Sequence, residues 1–369
     1  MANLENSPRV RFDTAKNFFH RLDKYKDDVE TWVGELYLEL HRGTFTTHGL
    51  VKKQNRKLEW KLRAVEMLWS CLPMKDYPTE ELETLWKKLL INQFHDIIPG
   101  SSINLVYQTT HEEYKEVHDG CDKLILLAAQ SLFEKSPDAF VLANTLSYVW
   151  KGIIVIPESM RGYAILDENG QQLSLQETVE GTVAAVDLAP LSFATFKKGN
   201  PFQSAMENEE NLTLENDFIL YEFDQKGQLI SAYDKEVGKK VLCGEGNVLS
   251  LYEDRPNDYD AWDVDFFYRA AIIETATINK DVTITRGNAV KQLVFSFRIG
   301  KSTIKQSVSL YNHSKRIDFS TTVDWNEKHK MLRVHFPVNV RSDQATFDIQ
   351  YGYVKRNTHR NTSWDKAKF

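Results

Sequence analysis

The sequence is poor in cysteine: Cys71, Cys121 and Cys243 are the only three in 369 residues, and no two of them form a CxxC pair. That excludes a disulfide framework and a cysteine-built metal site readable from spacing, and leaves buried thiols as the plain reading. Long apolar runs are missing too. The run from Leu124 to Ala129 is among the longest, far short of the roughly 20 residues that cross a bilayer, so no membrane span is expected. Nor is there a basic block. The 46 basic and 52 acidic residues interleave to a net charge of -6, which is not how a phosphate-gripping surface is built, so no nucleic acid partner is expected. The stretch from Met1 to Ser7 lacks the basic start and apolar core of a signal peptide, and a cytoplasmic protein is the expectation.

What the sequence does have is enough apolar material for two or three domains, at 42% hydrophobic residues. Its periodicity divides it. Up to about residue 137 the apolar residues recur at helical spacing, with Leu58, Leu62, Val65, Trp69 and Leu72 on one stripe and Leu82, Leu85, Trp86, Leu89 and Leu90 on a second. Tyr107, Tyr114, Val117, Cys121, Leu124 and Ala128 form a third. Thr79 is placed to cap the second helix, with Glu80 and Glu81 suited to its positive end. Beyond Ser136-Pro137-Asp138 the pattern changes to strands such as 140–142, 152–156, 218–223, 282–285, 293–297, 304–310 and 332–336, with hairpin glycines at Gly170 and Gly227. The expected fold is α+β, a three-helix bundle followed by antiparallel β-sandwich domains. A polar stretch, Lys197 to Asn211, reads as a linker between a smaller and a larger β unit. The segment from Thr362 to Phe369 has no tail composition and reads as cut rather than finished.

Three clusters carry candidate chemistry. Asn92 to Ser102 (NQFHDIIPGSS) sets His95 beside Asp96 at the end of the second helix, where a rigid element and the next helix N-terminus face one space. One His beside one Asp is also what a packed core histidine and a turn-capping aspartate look like. No second ligand stands at metal spacing on this helix, so a metal on His95 needs donors from elsewhere. Gly34 to His48, with Asn55-Arg56, is dense in His, Arg, Glu and aromatic residues, which suits either a solvated strand and turn or a sugar site that sets rings against ring faces. Tyr252 to Asp265 holds five Asp, one Glu and three aromatics in fourteen residues and reads as a long loop; its spacing is not that of an EF-hand.

Taken together and in this order, these clusters resemble the family-38 glycoside hydrolases, the retaining α-mannosidases. GELYLELHRGTFT (34–46) with Asn55-Arg56 is similar to the lead into that family's helical bundle, and NQFHDIIPGSS to the bacterial form of its HD motif. Asn144 to Ser147, Asp260 to Asp263 and Arg356 to His359 resemble stretches of its β domains. The resemblance implies three domains: a helical middle domain with an N-terminal lead-in at 1–137, a small β-sandwich at 138–200, and a larger, truncated mutarotase-like supersandwich at 201–369. It implies Zn2+ as cofactor, His95 as the metal ligand supplied by the bundle, and Asp96 as a substrate-binding residue. His41, Arg42 and Trp262 are expected near the sugar. No catalytic residue is expected in this chain, because the family carries its nucleophile, its acid and the other zinc ligands in an N-terminal catalytic domain that would be a partner here. The implied substrates are α-mannoside glycans, and the surfaces allow a homo-oligomer. Two competing readings are a carbohydrate-binding or assembly module without catalysis, and a different hydrolase with a carboxylate pair among Asp254, Asp258 and Asp260.

Overall fold

The computed structural model describes residues 5–32, 41–178, 181–202, 211–279, 282–285, 287, 289–349, 352–362 and 365. Residues 34–40 of the second cluster, 203–210 of the expected linker, and most of the segment after Thr362 lie outside them. The chain divides into two compact units, Met1–Leu38 and Glu39–Phe369.

In the first unit helix α1 spans Ala15–Leu22 and buries no residue. Its start is fixed locally: Thr14 is the N-cap and accepts from the Asn17 amide at 3.3 Å, and Asp13 accepts from Asn17 and Arg21. Those bonds hold the Asp13 carboxyl down at about 2.

In the second unit three helices, α2 (Gly49–Ser70), α3 (Thr79–Ile91) and α4 (Asn104–Leu132), share one apolar core. The expected stripes form it. Leu58, Leu62 and Val65 of α2 meet Leu89 of α3 and Val117 and Cys121 of α4, all fully buried, each large side chain contributing about 1.5–3 kcal/mol. Trp69 brings its indole N–H to the Leu124 carbonyl at 3.1 Å, so its polar end is satisfied within the core. Three expectations need correction. Thr79 is the first residue of α3 rather than its cap; Pro78 occupies the cap with no side-chain hydrogen bond, and the Thr79 amide binds Tyr77. Leu90 faces out, because α3 presents Leu82 and Leu89 to the core. Leu72 lies beyond α2, packed against the core edge.

After the helices, every strand pairing among the described residues is antiparallel. Two three-stranded sheets enclose a core containing Ile156, Met160, Ile165 and Phe196. One joins 139–144, 192–201 and 163–166, and the other joins 150–155, 181–188 and 175–178. The strand Ser192–Pro201 overturns part of the linker reading: Lys197 pairs with Ala139, and Lys198 stands over the Tyr163 ring at 3.8 Å. Lys197 and Asn200 on that strand are exposed while Phe196 is buried in the core. The five-stranded sheet that holds Val290–Ile299 and Ser302–Tyr311 supplies Leu293, Phe295, Phe297, Val308 and Leu310 to a second β core, which Ile219, Tyr221 and Phe223 of the strand 219–223 and Leu249 and Leu251 of the strand 248–253 share. Gly227 and Gly170 turn their hairpins at φ 74° and 75°, the left-handed region that glycine enters without a Cβ penalty. Among the described residues no helix is long and apolar enough to cross a membrane.

Candidate functional site

The end of α3 is anchored from two sides before the chain reaches His95. Asn92, 1% exposed, donates to Glu113 of α4 at 2.6 Å and to the Lys88 carbonyl. Gln93 donates to Asn55 at 3.1 Å and Glu59 at 3.0 Å, both on α2. These bonds satisfy polar groups inside an apolar core, where an unpaired one would cost about 1–3 kcal/mol. They also fix where the helix stops.

His95 therefore stands on a turn past the last helical residue, Ile91, and not on a buried helix end. Its side chain is 73% exposed, against 47% for Asp96, and His95 Nε2 lies 3.2 Å from Asp96 Oδ2. Phe94 packs beside the imidazole at 4.2 Å between ring centroids. Exposed apolar residues flank it along the chain: Leu90, Ile91, Phe94, Ile103 and Leu105 are each more than half exposed. An exposed imidazole beside a carboxylate is a donor set that suits zinc. Among the described residues no three or more His, Cys, Asp or Glu side chains are grouped so as to hold a metal ion. His95 and Asp96 thus fit one part of a zinc shell, and no other group among the described residues joins them.

The other two clusters are joined to each other. Arg42 meets Asp263 through Nε–Oδ1 at 2.9 Å and Nη2–Oδ2 at 3.1 Å. His41 meets the Trp262 ring edge to face at 5.0 Å. The Gly43 amide donates to the Trp262 carbonyl at 2.9 Å, and a Cβ on Gly43 would fall 3.0 Å from the Asp263 carbonyl oxygen, so a glycine permits this approach. The loop itself is tied by the Trp262 and Asp263 amides, both donating to the Tyr259 carbonyl, and by the Asn257 amide bound to Asp265. His41 Nδ1 is buried with no hydrogen-bond partner among the described groups, so packing on Trp262 holds that side of the ring.

No hydrogen bond or ring contact joins His95 or Asp96 directly to His41, Arg42 or Trp262 among the described residues. The link runs through residues of the same clusters to which the sequence reading assigned no role, and through Lys52, which lies outside them. Thr47 donates to the carbonyls of Gly43 at 2.8 Å and Ala261 at 3.0 Å, and Gly100, at φ 94°, passes close to the Thr47 carbonyl. Lys52 donates to the carbonyls of Thr47 and Ile98. The available signal was the pair of glycines inside the two motifs, since both sit where backbones approach closely.

Of the three acidic candidates, Asp254 has the clearest environment. It lines a cavity of about 200 Å3 with Glu253, Arg255, Asp265, Phe267 and Tyr268. Burial, and then the charge of Asp260, push its carboxyl above the usual range, against an opposing pull from His329.

Residues 39–132 match the Alpha mannosidase middle domain and residues 214–369 the Glycosyl hydrolases family 38 C-terminal domain. The chain is 34% identical to alpha-mannosidase 2C1 of Homo sapiens over 382 aligned positions, covering 100% of this chain and 36% of that protein. It is 30% identical to alpha-mannosidase G of Dictyostelium discoideum, covering 98% of this chain and 38% of that one. An alpha-mannosidase from Enterococcus faecalis V583 has a similar structure, with a TM-score of 0.74 over 95% of this chain and 50% of that chain at 17% identity; that likeness is one of fold. The chain spans little more than a third of the length of these two curated relatives.

Proposed function

Since the chain belongs to glycoside hydrolase family 38 through its middle and C-terminal domains, we propose that it is part of a zinc-dependent retaining α-mannosidase acting on terminal α-mannosides of glycans. In this reading α2, α3 and α4 are the three-helix bundle of the middle domain (1–137), followed by a small β-sandwich (138–200) and a larger supersandwich (201–369). His95 is the bundle's zinc ligand. Asp96 binds substrate hydroxyls, and His41, Arg42 and Trp262 complete the sugar-facing surface. The nucleophile, the acid and the other ligands come from a separate catalytic domain, so the chain alone is expected to be inactive. A cytoplasmic setting goes with the free thiols of Cys71, Cys121 and Cys243.

The observation that carries this reading is His95 itself: a 73% exposed imidazole, braced by a helix end tied to two neighbours, with the exposed Phe94 ring packed beside it and further exposed apolar residues flanking it along the chain. Such a patch suits burial against another domain, and a fixed, open imidazole suits a shell finished by that domain. Zinc bound there would orient sugar hydroxyls and polarise them. The protein groups have separate tasks. Asp96, held near the imidazole, can accept hydrogen bonds from hydroxyls. Arg42 keeps Nη1 for the sugar while Asp263 occupies Nε and Nη2. Trp262, steadied by His41, offers an aromatic face.

The test is hydrolysis of an aryl α-mannoside, with zinc, by the longest native polypeptide containing this chain and by its His95→Ala variant. A nearly inactive variant that excess zinc partly rescues supports the assignment. Full activity in the variant, or none in the parent, overturns it and favours a carbohydrate-binding module.

A further inference from the structure

Lys52, on the first turn of α2, is a half-buried lysine whose ammonium donates to two backbone carbonyls: Thr47, on the segment that leads into α2, and Ile98 at 2.6 Å, three residues after His95. No carboxylate is paired with it among the described residues. Burial draws its pKa down to about 8, so the fold places an ammonium where desolvation opposes charge, which is costly unless its donors are used. They are used on two strategic carbonyls. The Ile98 end lies in the turn of His95 and Asp96. That turn is held from its other side by Tyr107, whose hydroxyl accepts from the Ser102 amide at 2.9 Å and donates toward the Ile97 carbonyl at 3.2 Å. The Thr47 end continues, through the Thr47 hydroxyl, to Ala261 beside Trp262.

We propose that Lys52 is a positioning residue of the mannosidase site: its ammonium staples the His95–Asp96 turn to the Thr47 segment, and Thr47 in turn holds the Trp262 loop in register with that turn. This rests on the function proposed above. A core lysine of purely structural role would lower stability alone; a staple sets the geometry in which His95 meets the metal and Trp262 meets the sugar. The two halves of the link then have separable effects. Losing Lys52 loosens the ligand turn, and losing the Thr47 hydroxyl loosens only the Trp262 side.

The experiment uses the longest native polypeptide containing the chain and compares Lys52→Met, Lys52→Arg, Thr47→Val and His95→Ala. It reads zinc affinity by chelator competition, kcat and KM on an aryl α-mannoside, and the unfolding midpoint. Lys52→Met is expected to bind zinc about tenfold more weakly, the scale seen when a ligand loses its outer support, and to lose more in kcat than it gains in KM. Lys52→Arg recovers most of both. Thr47→Val keeps wild-type zinc affinity and raises KM severalfold. A Lys52→Met protein with wild-type zinc affinity and kcat, altered only in its midpoint, overturns the staple while His95→Ala still reports on the parent reading. If Lys52→Met does not fold, Thr47→Val and Lys52→Arg decide: a wild-type KM in the first and unrescued zinc affinity in the second overturn the proposal. A parent without activity, or an active His95→Ala protein, removes the reading beneath it instead.

Discussion

Arg42 and Asp263, 221 positions apart, form a two-point ion pair at 2.9 and 3.1 Å, with only 14% and 8% of their side chains exposed. This pair fastens the segment before α2 to the acidic loop, and it brings His41 against Trp262. Removing one partner strands the other charge out of water, which costs more than the pair gains by existing. Asp263→Ala is expected to lose about 3–5 kcal/mol of unfolding free energy. Arg42→Lys keeps the charge but cannot fork across both oxygens, and is expected to lose about 2 kcal/mol. Denaturant titration checks both; an Asp263→Ala loss under about 1 kcal/mol would mean that solvent already reaches the pair.

A second long-range fastening ties the small β unit to the large one. Gln176, 4% exposed, donates to the Val290 carbonyl at 2.7 Å and accepts from the amides of Ala289 and Val290, both at 3.0 Å. Its side chain acts as a short piece of strand edge. Gln176→Ala leaves these buried backbone groups unpaired, at about 1–3 kcal/mol for each orphan that water cannot reach. Amide exchange at Ala289 and Val290 should accelerate sharply while the core pair Leu293 and Val308 stays protected. Unchanged exchange at 289 and 290 would show that another acceptor holds them.

How legible this was depended on whether a residue's role is carried by its side chain or by whom it meets. The stripes of α2 and α4 were readable because burial follows the helical period: Leu58, Leu62 and Val65, or Tyr114, Val117 and Cys121, all reach the core. Helix α1 was not, because it buries nothing and is held by Thr14 and Asp13. Lys197 to Pro201 looked like the start of a linker because the strand Ser192–Pro201 owes its state to pairing, with Ala139–Asn144 among others, and not to the polar residues at its end. At the site, His95 beside Asp96 is visible in any reading of the sequence. Lys52 is not, since its acceptor is a backbone carbonyl 46 residues away, and a carbonyl leaves no mark in residue identity.

Asp254 supplies a pH dependence. Its carboxyl is pushed up by burial and by the charges of Asp260 and Asp265, with His329 opposing. A raised folded pKa means that the native state holds this proton longer than the unfolded state as pH rises. Stability is therefore lost between the ordinary aspartate pKa and the raised one, and the cost is complete above it. Asp254→Asn removes the ionisation. The variant should be more stable than wild type at neutral pH, with the advantage shrinking as the pH falls into the ordinary carboxylate range. Denaturation midpoints across that range check the sign, and an advantage that grows on acidification would contradict it.

Two glycines near Thr47, Gly49 along the chain and Gly100 in space, should respond oppositely to a methyl group. Gly49 opens α2, and no neighbour among the described residues stands within 4 Å of where its Cβ would be, so Gly49→Ala restricts the unfolded chain at no native cost and should add about 0.4–1 kcal/mol. Gly100 holds φ 94°, and its Cβ would fall 2.7 Å from the Thr47 carbonyl oxygen, the same oxygen that Lys52 binds. Gly100→Ala must therefore leave the left-handed region or push Thr47 away, at about 1–3 kcal/mol. Either adjustment moves the turn that carries His95. Thermal unfolding of the two variants side by side is the measurement. If Gly100→Ala proves as harmless as Gly49→Ala, the turn and the Thr47 segment are not in the close contact on which the Lys52 link depends.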